Sequence, residues 1–131
     1  MSRRVLFALI IAMLVLAGCA STAVLESPRQ ADVPAGVAIA DVENAIIDAM
    51  RDRGWSVHDR SRGKIVADLN LRSHFARVDI RYNTESVTLE YVDSRELEYA
   101  IDDGQPVIHD NFNSWTMNLI DDIERHLSYI E

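Results

Sequence analysis

Between residues 64 and 82 the apolar side chains change parity. Ile65, Ala67, Leu69 and Leu71 hold odd positions, whereas Ala76, Val78, Ile80 and Tyr82 hold even ones. Alternation at period two marks a strand with one buried face. Two runs of opposite parity cannot share one continuous strand, because a one-residue slip sends every side chain to the other face. A turn must separate them, and Arg72-Ser73 is placed to supply it. The spacing therefore predicts strands over 64–71 and about 74–82. Val87, Leu89 and Tyr91 continue the pattern over about 86–93. The inward sets match if Ile80 faces Leu89 and Val78 faces Tyr91, a register that also sets Glu90 diagonal to Arg77 and Arg81 on the outer face. Upstream, Trp55–Arg60 reads as a short strand with Trp55 and Val57 on one side, closed by a Ser61-Arg62-Gly63 turn. A short extended piece at Leu97–Ile101 precedes the Asp102-Asp103-Gly104 turn.

Two helical patterns frame these strands. Ile39, Val42, Ala45, Ile46, Ala49 and Met50 recur at helical spacing over about 39–53, with Gly54 where a helix-ending glycine belongs. Phe112, Trp115, Leu119, Ile123, Leu127 and Ile130 do the same over about 112–130, with Asn111 or Asn113 able to cap the start. One apolar sheet face needs cover and two amphipathic helices can provide it. The expected fold is α+β: an antiparallel three- to four-stranded sheet packed against two helices, in the order α-β-β-β-β-α.

The first twenty residues address location. Arg3 and Arg4 precede a thirteen-residue apolar run, Val5 to Ala17, and the run ends in Leu16-Ala17-Gly18-Cys19. A membrane-spanning helix needs about 20 apolar residues, so the run reads as an export signal. The tetrapeptide resembles a bacterial lipobox. That resemblance implies cleavage between Gly18 and Cys19 and transfer of diacylglycerol to the Cys19 sulfur. With Ala20 rather than Asp next, it implies sorting to the outer membrane, with the domain facing the periplasm. The expected organisation is a cleaved signal peptide at 1–18, the lipidated Cys19 with a flexible tether to residue 36, and a single α+β domain at 37–131. Pro28, Pro34, Gly36 and the lack of periodicity suggest the tether, whose seventeen residues after Cys19 would span roughly 20–25 Å.

Charge and cysteine usage exclude several classes. The whole chain has a formal net charge of −8, and loss of residues 1–18 removes two arginines and no acid, leaving −10. A nucleic-acid partner needs a basic footprint and is not expected. Adhesion to anionic lipid through the protein surface is not expected either, so the lipid on Cys19 must hold the domain at the membrane. With no second cysteine, the domain folds without disulfides.

Most of the domain resembles a known group. Arg-Gly-Trp at 53–55, Gly-Lys-Ile-Val-Ala-Asp-Leu at 63–69, Arg72, His74, the Val78/Ile80/Tyr82 alternation, Tyr91 to Ser94, and Ile108-His109-x-Asn111-Phe112-Asn113-x-Trp115 with Asn118-Leu119 together are similar to a family of small proteobacterial outer-membrane lipoproteins. The match covers about residues 40–127, and its most specific part is His-x-Asn-aromatic-Asn-x-Trp. The chain departs from the pattern at Phe112, more often Tyr, and at Arg95-Glu96. The resemblance implies an outer-membrane lipoprotein domain and no established activity.

Candidate binding residues gather where the strands end. Arg72, His74, Tyr91 and Ser94 fall at one end of the expected sheet, near His109, Asn111 and Asn113. Convergence of that kind is what a cleft needs, and capping of strand and helix ends is the competing role for the same groups. His58, His74, His109 and His126 lack metal-ligand spacing. There is no nucleophile elbow and no glycine-rich phosphate loop. No cofactor, metal or catalytic residue is expected. Trp55 and Trp115 fall on apolar faces as core anchors, and Arg77, Asp79, Arg81 and Glu90 form a solvated ladder. The expected function is a non-enzymatic envelope module with an envelope protein partner. The alternative is a small-ligand or enzymatic domain using the polar end of the sheet.

Overall fold

A computed structural model describes residues 21–130. Its elements run β1 (Thr22–Val24), β2 (Arg29–Asp32), α1 (Ile39–Asp52), β3 (Ser56–Ser61), β4 (Lys64–Leu71), β5 (His74–Tyr82), β6 (Ser86–Arg95), β7 (Ala100–Asp102), β8 (Gln105–His109) and α2 (Asp110–Ser128). The fold is α+β, as expected. The strands form two antiparallel sheets rather than one: five strands in the order β2-β6-β5-β4-β3 and three in the order β1-β8-β7.

The parity change is resolved as the pattern requires. β4 and β5 pair from Lys64↔Arg81 to Leu71↔His74, and Arg72 makes the turn at a φ of 58°. Ile80 faces Leu89 and Val78 faces Tyr91. Beyond that pair Arg77 faces Asp93, which leaves Val92 as a bulge. The bulge turns Ser94 to the inner face beside Tyr91. On the outer face the register also holds, and β4 supplies a further partner. Arg77 sits directly opposite Asp68 and donates to both of its carboxylate oxygens, at 2.7 and 2.9 Å. Glu90 lies opposite Asp79 and diagonal to Arg81, as the matched inward sets require, while the bulge displaces Arg77 and its guanidinium goes to the directly opposite Asp68.

The stretch after Cys19 is not a flexible tether over its described length. Residues 21–36 contain β1, which pairs with β8, and β2, which pairs with β6. Ala31 lies opposite Val87 and is buried. Three- and four-residue strands are too short to display a period, and Pro28 and Pro34 flank β2 instead of marking a linker. Cys19 and the signal segment lie outside the described residues. The piece expected at 97–101 is also revised. Glu96 and Glu98 both adopt positive φ around buried Leu97, so β7 starts only at Ala100 and β8 follows the turn.

Both helices cover the inner face of the five-stranded sheet. Val42, Ile46, Ala49 and Met50 of α1 and Phe112, Leu119, Ile123 and Leu127 of α2 join Ile65, Val78, Ile80 and Leu89 in one buried cluster. Gly54 ends α1 with a φ of 79°. Trp55 is buried, whereas Val57 and Leu71 are exposed at the sheet's margins. A polar lock joins the end of α1 to α2. Buried Asp122 of α2 accepts from Arg53 Nε at 2.5 Å, from Arg53 Nη2 at 3.3 Å and from Arg125 at 2.8 Å. The Arg53 hydrogen bond holds the Asp122 carboxyl below the usual carboxylate range, against the opposing effect of burial.

Candidate functional site

The polar end of the sheet forms where β5 begins, β6 ends and β8 runs into α2. The structure brings the candidate residues to this end but divides them into two groups. In the first, the Val92 bulge places the Tyr91 hydroxyl 2.7 Å from Ser94 Oγ. Tyr99 stacks on the Tyr91 ring at 4.9 Å between centroids, and Phe112 meets it edge-on at 5.5 Å. Burial pushes the Tyr91 phenol above its usual value, with the Ser94 hydrogen bond pulling the other way. A phenol shifted upward stays protonated at neutral pH, so Tyr91 is suited to hydrogen bonding rather than to proton abstraction.

The second group centres on His74. Its ring lies 6.3 Å from both His109 and the half-buried Trp115. His74 Nδ1 donates to the Glu96 carbonyl at 2.7 Å. His109 caps α2, its Nδ1 accepting from the Asn111 amide at 3.2 Å. The same nitrogen lies 3.3 Å from Asp110 Oδ1. It cannot serve both, since the cap needs a bare nitrogen and the ion pair needs a proton. The cap residue is thus His109, and the expected capping by Asn111 or Asn113 is corrected. Asn111 is exposed and Asn113 lies inside the helix. Arg72 is exposed at its turn, without an ion pair among the described residues.

Asn113 and Arg29 do something the pattern did not announce. Asn113 Nδ2 donates to the Val24 carbonyl and its Oδ1 accepts from the Glu26 amide, both at 2.9 Å. Arg29 points inward from β2. It donates to Thr116 Oγ1 at 3.0 Å and to the Asn113 carbonyl at 2.9 Å, and it pairs with Glu26. Ser27 Oγ accepts from the Tyr91 amide, and the Asp110 amide donates to the Ser21 carbonyl at 2.9 Å. The N-terminal segment is therefore fastened to the start of α2 from its first described residue. Arg29 and Ser27 fall in the stretch read as a tether. The sequence marks Asn113 only as a candidate cap or binding residue, and its burial and clamping role come from the structure.

The seven candidates do not line one concavity. Tyr91 and Ser94 border an open cleft of about 520 Å³ with Asp93, Glu96, Glu98 and Tyr99. Arg72, His74, His109, Asn111 and Asn113 lie outside it. No cluster of His, Cys, Asp or Glu suited to a metal occurs among the described residues, and no described helix is long and apolar enough to cross a membrane. Comparison of the chain with protein-family models, with curated proteins and with solved structures finds no match.

Proposed function

We propose that this chain is an outer-membrane lipoprotein of the small proteobacterial family it resembles. Lipid on Cys19 would hold an interaction domain at the periplasmic face. The observation that carries this reading is the run from Arg3-Arg4 through the apolar Val5–Ala17 stretch to Leu16-Ala17-Gly18-Cys19. The segment that follows is held to the domain from Ser21 onward, through the Asp110–Ser21, Glu26–Asn113 and Asn113–Val24 hydrogen bonds. A lipid on Cys19 would be separated from the folded domain by Ala20 alone. Two residues span at most about 7 Å, so the anchor would fix orientation as well as location.

The polar end supports an interaction domain over a small-ligand or catalytic one. His74, His109 and Asn113 direct polar atoms at the protein's own backbone. Nothing there pairs a nucleophile with a base within reach: Ser94 Oγ bonds the Tyr91 hydroxyl, whose proton is held more tightly than usual.

Two measurements test the proposal. Intact mass of the protein extracted from membranes should give a chain starting at Cys19 with a diacylglyceryl adduct; an unmodified thiol or another start defeats the anchor. Crosslinking in cells should capture the same envelope protein repeatedly, and capture that varies between replicates counts against the interaction role.

A further inference from the structure

We infer that the opposite end of the five-stranded sheet carries a binding site for a phosphate group. There the β3–β4 and β5–β6 turns enclose a cleft of about 290 Å³. Its charged lining is wholly cationic: Arg62, Lys64 and Arg81. Asn83, Ser86 and Thr88 add neutral polar groups, and no carboxylate lines it. This arrangement stands out in a chain with a formal net charge of −8.

The register sets two of these cations side by side. Lys64 and Arg81 are direct cross-strand partners on the outer face, and like charges placed opposite each other repel. The nearest compensation is Asp79, one carboxylate shared between Lys64 at 3.6 Å and Arg81 at 3.9 Å. Both distances exceed hydrogen-bond reach. Arg62 forms no ion pair among the described residues, whereas its neighbour Arg60 is committed to Glu43. An oxyanion in the cleft would accept charge-assisted hydrogen bonds from the two guanidinium groups and the ammonium group, and so relieve their repulsion. Asn83 Oδ1 is already occupied by the Glu85 and Ser86 amides, which leaves its NH2 to donate. Arg81 is more than half exposed, so an incoming anion is met without any opening of the fold. A phosphate oxyanion has more acceptor oxygens than a carboxylate and suits this many converging donors.

The site lies at the far end of β5 from His74, roughly 27 Å along the strand, and does not depend on the lipid anchor. The test uses the full mature chain in nonionic detergent micelles, isotopically labelled, at pH 7.5. Sodium phosphate is titrated in at ionic strength matched with chloride, and acetate is run in parallel. Saturable shifts are expected in the amides of residues 61–64 and 81–88, with a Kd of about 1–10 mM. Arg62→Ala with Arg81→Ala should weaken binding about tenfold or more, and Arg51→Ala, exposed on α1, should leave it unchanged. Glycerol 3-phosphate in solution and phosphatidylglycerol incorporated into the micelles distinguish a soluble phosphoester from a lipid headgroup as its source. Shifts no larger than those with chloride, shifts that survive the double substitution, or tighter binding of acetate than of phosphate would each overturn the inference.

Discussion

Replacing Asn113 tests whether the N-terminal segment is held by the domain or merely lies on it. Asn113→Ala removes two hydrogen bonds of 2.9 Å, one to the Glu26 amide and one to the Val24 carbonyl. Both partners are on a segment with many exposed residues, so water can replace part of what is lost. A net contribution of about 1 kcal/mol per bond then applies, for a total of about 2 kcal/mol. That corresponds to roughly a 30-fold rise in local opening. Amide hydrogen exchange reads it directly. The Leu25 amide, bonded to Pro106, and the Asp110 amide, bonded to Ser21, are untouched by the substitution and report detachment. Both should exchange faster, while Ile80 in the central strand β5 keeps its protection. Asn113→Asp sharpens the test. It retains an acceptor for Glu26 but turns an oxygen toward the Val24 carbonyl, so the segment should detach more at neutral pH and reattach as pH falls and the introduced carboxyl regains a proton to donate. Unchanged protection at Leu25 and Asp110 would refute the clamp. An equal fall at Ile80 would show that Asn113 supports the whole domain instead.

Three further substitutions follow from the same geometry. Asp122→Ala should lower the urea-unfolding free energy by about 1–3 kcal/mol, at the lower end because released Arg53 and Arg125 can rehydrate. Since the folded Asp122 carboxyl is depressed, its stabilisation is present above its unfolded value near 3.9 and is lost as pH falls through the lower folded value. The unfolding free energy of Asp122→Ala should therefore decline less steeply below about pH 4 than that of the parent, and parallel curves would contradict this. Arg29→Met should shift the urea midpoint by the equivalent of about 1–2 kcal/mol, because it removes the bonds to Thr116 and to the Asn113 carbonyl while keeping the apolar stem. Gly63→Ala should destabilise thermally by about 1–2 kcal/mol: φ is +73°, and an added Cβ would lie 3.3 Å from the Tyr82 carbonyl oxygen.

Long periodic segments were legible in the sequence because burial imposes the period. β4 and β5 have the predicted bounds, and the Ile80–Leu89 and Val78–Tyr91 pairs follow from matching inward sets. Short elements were not legible. β1, β2 and β7 span three or four residues each and derive their order from pairing with distant strands, which local pattern cannot register. The bulge at Val92 was hidden for a related reason, since Tyr91 and Ser94 differ in parity and only the pairing brings them to one face. The polar end was misread in part, because a capping histidine and a clamping asparagine look like ligand donors until their backbone partners are known.

The N-terminal strands also change what an anchor on Cys19 would do. A tether of roughly 20–25 Å would let the domain tumble and present any face to the bilayer. A connection through Ala20 alone would keep Ser21, His109 and the first turn of α2 close to the headgroups. β5 would then run from that end, at His74, toward Tyr82 and the cleft lined by Arg62, Lys64 and Arg81. A phosphate site at that end would face away from the anchoring leaflet. Its ligand would then come from the periplasm or from a second surface, whereas a flexibly tethered domain could fold back onto its own membrane. Inserting a flexible Gly/Ser spacer after Ala20 separates the two arrangements. With orientation set by the short connection, the spacer should enhance crosslinking of Arg62→Cys to the anchoring leaflet, and equal crosslinking with and without it would refute the fixed orientation.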